Sequence, residues 1–178
     1  MKTRNFLLAC FLLAGFAACK KDNQKAVDNT ADNSMSFTLD GKSYTAALLA
    51  MSGTTAADAD DAGKTDSVLF IIAQTDSSNT AARIALTMTF RKGSVQPGNY
   101  SDTAYASDGI SWTPVLNKDD YYQSSFKNYA VIQLTNASST TLEGTFKGQV
   151  VATNDVNKIS TITDGKFKIN PQTVSKAD

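Results

Sequence analysis

Apolar residues recur at every second position through most of this chain, and that period commits it to strands. Phe37 and Leu39 alternate with Thr38 and Asp40, and Ile84, Leu86, Met88 and Phe90 alternate with Ala85, Thr87 and Thr89. Successive side chains of a strand point to opposite faces, so each run offers one apolar face to a core and one polar face to water. Asp40-Gly41 stands between the first run and Lys42-Ser43-Tyr44-Thr45-Ala46. That dipeptide suits a two-residue hairpin, because both central residues need positive φ. SVLFIIAQT, residues 67–75, is nearly continuously apolar, as expected of a strand covered on both faces. YAVIQLT, residues 129–135, is again rich in strand formers.

The last third repeats the theme with two peculiarities. Leu142, Phe146 and Val150 share a face with Gly144 and Gly148, while Glu143, Thr145, Lys147 and Gln149 point the other way. A glycine every four residues on an inner face implies close backbone approach or a strong bend. ISTITDGKFKI, residues 159–169, contains a second Asp-Gly-Lys. Its flanks differ from those of the first (TDGKFKIN against LDGKSYTA), so the two copies read as a shared hairpin preference rather than a duplication. No segment sustains a 3.6-residue period. The Ala/Asp stretch 54–66 lacks an apolar stripe and reads as a loop.

These features predict an antiparallel all-β domain with little helix, most simply a two-sheet β-sandwich. A curled half-barrel is the alternative, and periodicity does not separate the two. With 178 residues, 42% of them hydrophobic, the chain has material for one core. The expected layout is a leader over 1–18, an anchor and tether over 19–33, the β domain over 34–170 and a polar C-terminal tail over 171–178.

The first residues read as an export signal. Lys2 and Arg4 precede FLLACFLLAGF, residues 6–16, then Ala17, Ala18 and Cys19. A membrane span needs about 20 apolar residues, so this run fits the core of a signal peptide. The approach to Cys19 resembles the lipobox of bacterial lipoproteins, with Phe16 where Leu is usual. In such proteins the peptide is cut before a cysteine that carries a diacylglyceryl group. Cys10 would leave with the leader, so Cys19 keeps no disulfide partner. Its expected fate is lipidation, and that covalent lipid is the only non-protein group expected. Residues 20–33, KKDNQKAVDNTADN, have the composition of a flexible tether.

FTLDGKSYTA, PGNYSD, LEGTFKGQV and ITDGKFKI together resemble a family of small lipoproteins of Bacteroidota, over residues 35–169. The resemblance implies an all-β domain anchored in the cell envelope, at the outer membrane with the periplasmic or surface face open. It implies no activity and no catalytic residues.

Composition narrows the chemistry further. The chain has no histidine and a formal charge of zero; cleavage would remove Lys2 and Arg4 and no acid, leaving 15 basic against 17 acidic residues. Nucleic-acid partners are therefore not expected. Ser–His and Cys–His dyads and His-ligated metals are excluded. Asp58, Asp60, Asp61 and Gly63 begin like a calcium loop, yet Ala62 and Leu69 stand where ligands five and twelve belong, so no metal site is expected. Ser124-Ser125-Phe126-Lys127 matches Ser-x-x-Lys without the partner motifs of that chemistry. Glu143 is the sole glutamate, which makes a paired-carboxylate hydrolase the third-ranked reading.

The stretch 100–129 concentrates aromatic residues among Asp102, Asp108, Asn117, Asp119 and Asp120. Rings beside acids and amides are what a sugar-binding face needs, and Trp112, Tyr121 and Tyr122 are its candidate contacts. Core packing is the competing reading of the same rings. The expectation is a non-enzymatic envelope module, anchored in the membrane through its lipid, that binds an envelope protein or, alternatively, a glycan.

Overall fold

The computed structural model describes residues 33–46, 48–57, 65–78, 80–91, 95–104, 108–115 and 120–176. The readings of the leader, of Cys19, of the tether through residue 32, of Asp58, Asp60, Asp61 and Gly63, and of Asn117 and Asp119 fall outside the described residues. The described residues form twelve strands: β1 (Ser34–Leu39), β2 (Lys42–Thr45), β3 (Leu48–Ala57), β4 (Thr65–Gln74), β5 (Arg83–Phe90), β6 (Gly98–Ser101), β7 (Gly109–Thr113), β8 (Tyr122–Gln123), β9 (Ala130–Ala137), β10 (Leu142–Ala152), β11 (Asp155–Ile169) and β12 (Ser175–Lys176).

All twelve belong to one sheet, ordered β12-β3-β4-β5-β7-β8-β10-β11-β1-β2, with β9 also on β10 and β6 on β9. The pairings are antiparallel except that of β12 with β3. The all-β expectation holds, and of the two arrangements weighed the curled half-barrel is the one that forms. β10 explains why. It pairs with β9 from Leu142 to Gly148, then with β8 at Val151 and Ala152, and with β11 along most of its length. One strand that changes neighbours midway ties what would be two leaves of a sandwich into a continuous sheet.

Bulges supply the curl, since an extra residue on one strand bends it and increases its twist. The second Asp-Gly-Lys is such a bulge and not a hairpin. Across it β11 advances three residues while β10 and β1 each advance two. Asp164 adopts φ 54° there. The extra residue switches parity, so that Ser160 and Ile162 before it and Gly165, Phe167 and Ile169 after it all face inward. Without it a strand of period two would turn one of these groups to water. At the first copy the hairpin is as read: Asp40 and Gly41 have φ 47° and 80°, and Leu39 pairs with Lys42.

The inner face collects Met35, Phe37, Leu39, Ile71, Ile84, Leu86, Met88, Ile110, Ile132, Leu134, Phe146, Val150, Ile162, Phe167 and Ile169 in one cluster. β4 is buried on its core face at Leu69, Ile71 and Ala73 and half-buried on the other at Phe70 and Ile72, in keeping with its continuous apolar run. β10 buries Leu142, Phe146 and Val150 and exposes Glu143, Thr145, Lys147 and Gln149. Gly148 has φ 150°, and a Cβ there would strike the backbone of Ala130 on β9.

Two boundaries move. β3 and β4 run into both ends of the stretch read as a loop, pairing as far as Ala57 with Thr65, because ladder hydrogen bonds do not require an apolar stripe. The segment read as a polar tail returns to the sheet as β12: Ser175 and Lys176 pair with Ala50 and Met51, and Val174 is buried in the core.

Candidate functional site

The curl of the sheet brings β2 against β7. Phe37 and Tyr44 are cross-strand partners and stack at 5.2 Å with 10° between their planes. Trp112 lies opposite Ile84 on one side and Tyr122 on the other. Where β2 closes over this row, Trp112 takes the edges of Tyr44 at 5.2 Å and Phe37 at 5.6 Å. Aromatic pairs favour such edge-to-face contacts and contribute about 0.5–1.5 kcal/mol each beyond their buried area.

Above these rings is an open groove of about 380 Å³. Trp112, Tyr122 and Tyr44 form its aromatic floor, and Lys42, Thr75, Asp76, Thr80 and Ser160 bring polar groups to its walls. Leu39, at the end of β1, also lines it. The described chain begins at the other end of β1, at Asn33 and Ser34. There Asn33 accepts the Asn170 N–H at 2.8 Å. Six extended residues separate the two ends of β1 by roughly 20 Å.

Charged groups lining the groove (Lys42 and Asp76) and beside its Tyr122 ring (Lys158 and Asp120) are arranged by local contacts. Lys42 Nζ sits 5.0 Å from the centre of the Tyr44 ring. Lys158 Nζ lies 5.3 Å from that of Tyr122 and 3.8 Å from Asp120 Oδ2. A hydrogen bond with the Tyr122 hydroxyl, followed by the charge of Asp120, raises the Lys158 pKa. The Ser78 side chain and its N–H, the latter 2.7 Å from Asp76 Oδ1, hold the Asp76 carboxyl below its usual range. Asp76 therefore stands as an ionised acceptor. Rings below, hydroxyls and an acceptor at the sides and an ammonium at the rim suit a polar ligand with hydroxyl groups and an apolar face.

Of the candidate contacts, Trp112 and Tyr122 meet in this groove, although they are only 2% and 4% exposed. Each serves as core and floor at once. Tyr121 does not join them. It precedes Tyr122 and faces outward, 38% exposed, while its carbonyl accepts the Thr153 N–H and hydroxyl. Tyr121 stands just before β8, outside the ladder that turns Tyr122 inward. Asp102 and Asp108 are buried and unavailable to a surface ligand.

Lys42, Tyr44, Thr75, Asp76, Thr80 and Ser160 were missed, having no common motif. The one signal was Tyr44 beside the Asp-Gly turn. Ser124 is buried and Lys127 exposed, on a segment that is not helical, so the Ser-x-x-Lys match carries no nucleophile. No family model, curated protein or solved structure matches this chain.

Proposed function

We propose that this chain is a non-enzymatic binding module, held at the cell envelope by a lipid on Cys19, whose ligand contact is the groove floored by Trp112 and Tyr122. The observation that carries the reading is the position of the groove, at the end of β1 opposite the entry of the tethered chain. A module on a leash works when its contact faces away from the anchor. The tether composition of residues 20–33 supports the same arrangement.

A carbohydrate is the ligand class favoured by the site itself. The half-buried Tyr44 ring, backed by the buried Trp112 and Tyr122, offers apolar surface beside polar walls, a combination that suits a sugar's C–H face and its hydroxyls. Among the described residues one carboxylate, Asp76, lines the groove, whereas glycoside hydrolysis uses a pair. A single carboxylate supports the binding reading.

Two measurements test the proposal. Metabolic labelling with a fatty acid is expected to mark the wild type and not Cys19→Ala, which should leave the membrane fraction; membrane retention of unlabelled Cys19→Ala would remove the anchor reading. Trp112 is the only tryptophan, so intrinsic fluorescence reports the groove. Titration with envelope oligosaccharides should shift it in the wild type and not in Asp76→Ala. Equal responses in both would remove the groove as the contact.

A further inference from the structure

The outer face of the sheet is hollowed where β9, β10 and β11 run side by side. One hollow, of about 740 Å³, is bordered by Asn99, Gln133, Thr145, Lys147, Asp164 and Lys166. A second, of about 350 Å³, continues it towards Tyr129, Gln149 and Thr161. Val131 and Lys147 line both, so the two form one channel. The bulge of β11 lies at their join, with Asp164 and Gly165 on the larger hollow and Thr163 on the smaller. A bulge bends its strand and steepens the twist, and that local bend accounts for a hollow on the outer side.

Ladder register fixes the order of the lining groups. Asn99 stands opposite Gln133, Gln133 opposite Thr145, and Thr145 opposite Lys166. These four make one row across β6, β9, β10 and β11, about 14 Å from end to end at the usual strand spacing. The next row, two residues along, holds Ser101, Val131 and Lys147. Lys147 and Lys166 are therefore diagonal neighbours, with Cβ atoms roughly 7 Å apart.

Both lysines are exposed, and neither is paired with a carboxylate among the described residues. Lys168, the next lysine along β11, stands instead opposite Glu143. The carboxylate that borders the channel, Asp164, accepts the Thr163 hydroxyl at 3.0 Å. Two ammoniums thus face one carboxylate, which favours an anionic ligand. The carboxamides of Asn99 and Gln133 and the hydroxyls of Thr145 and Thr161 both donate and accept, as a polyhydroxylated chain requires. At the far end Tyr129 is 54% exposed while its carbonyl accepts the Gln149 N–H at 3.2 Å. Its backbone is held by the sheet and its ring is open to the apolar face of a sugar.

We propose that this channel binds an acidic oligosaccharide, one carrying carboxylate or sulfate groups. Lys147 and Lys166 take the anionic groups, the Asn99–Gln133–Thr145 row takes hydroxyls, and Tyr129 stacks on a ring. The site stands on the opposite face of the sheet from the Trp112 groove and does not depend on it.

The test is calorimetric titration of the protein with short galacturonic-acid oligomers and with neutral maltose-series oligomers of equal length. The acidic oligomer is expected to bind more tightly, and to weaken as salt is added. Lys147→Gln and Lys166→Gln should each weaken it about three- to five-fold, and the double variant more than either. Both positions are exposed, so thermal midpoints should stay those of the wild type. Tyr129→Ala should weaken the saccharide and leave binding of poly-glutamate unchanged. Asp76→Ala, in the Trp112 groove, should leave the acidic oligomer's affinity unchanged. No binding of the acidic oligomer, equal affinity for the neutral one, or undiminished affinity in the double variant would overturn the proposal. So would poly-glutamate binding as tightly as the saccharide, which would make the face a contact for acidic peptides. A response of Trp112 fluorescence that Asp76→Ala removes and the double lysine variant keeps would place the acidic oligomer in the other groove. This site would then fall and the Trp112 reading would stand.

Discussion

Tyr44 meets Trp112 edge-on, with 5.2 Å between ring centres and 68° between planes. β2 and β7 share no ladder, so this contact spans the concave side of the curled sheet and draws one of its edges inward. It makes the aromatic floor of the groove a structural joint as well as a surface. A residue in that position is expected to affect stability and binding together.

Trp112→Ala should therefore lower stability by about 3–5 kcal/mol, the usual cost of emptying a large aromatic site, and Trp112→Phe by clearly less. Urea denaturation followed by far-ultraviolet ellipticity checks this, since the substitution removes the only tryptophan. Tyr44→Ala, at a half-buried position, should cost less than Trp112→Ala.

Asp108 gives the protein an unusual pH dependence, because burial raises its pKa. Its folded pKa, about 6, lies above the ordinary 3.8. Between these values the native state keeps a proton that the unfolded chain has released. The contribution of this group is thus most favourable below about pH 4, is lost as pH rises towards 6, and is flat beyond. Asp108→Asn should remove that decline, so the stability gap between variant and wild type shifts in the variant's favour from pH 4 to pH 7. A gap that is constant with pH would contradict the assignment.

Gly148→Ala should cost about 2–4 kcal/mol, combining a positive φ with a Cβ directed into the backbone of Ala130. Gly53→Ala is the matched control. A Cβ at Gly53 meets only the Val68 carbonyl oxygen, at 3.7 Å, and the change should stay within about 0.5 kcal/mol. Thermal melting of the two variants side by side reads the difference.

At the first Asp-Gly turn, the Asp40 carboxylate accepts the Thr161 N–H at 2.7 Å and its own N–H donates to the Thr161 carbonyl at 2.9 Å. Asp40→Ala loses the side-chain bond and puts an unsuited residue at φ 47°. The expected cost is about 1–2 kcal/mol. Asp40→Asn keeps both an acceptor and tolerance of that backbone conformation, and should cost under about 0.5 kcal/mol in the same denaturation assay.

The alternation of Ile84, Leu86, Met88 and Phe90, and of Leu142, Phe146 and Val150, was enough to define β5, β10 and their buried faces, because period two is a local property of extended backbone. Asp40-Gly41 likewise defined its hairpin from four neighbouring residues. The same dipeptide at 164–165 did not. Flanked on both sides by strands already paired with it, β11 uses the positive φ of Asp164 for a bulge. The site divides in the same way. The sequence singled out Trp112 and Tyr122, but Lys42, Tyr44, Asp76 and Ser160 reach them only through the curl of the sheet. Asp102 and Asp108 read locally as surface acids and are buried by elements distant in the chain. Local pattern was enough to assign the residues that form strands and the apolar face of each. Partner choice, curl, groove and buried acids were decided by the tertiary structure, because each depends on contacts between segments whose spacing along the chain carries no period.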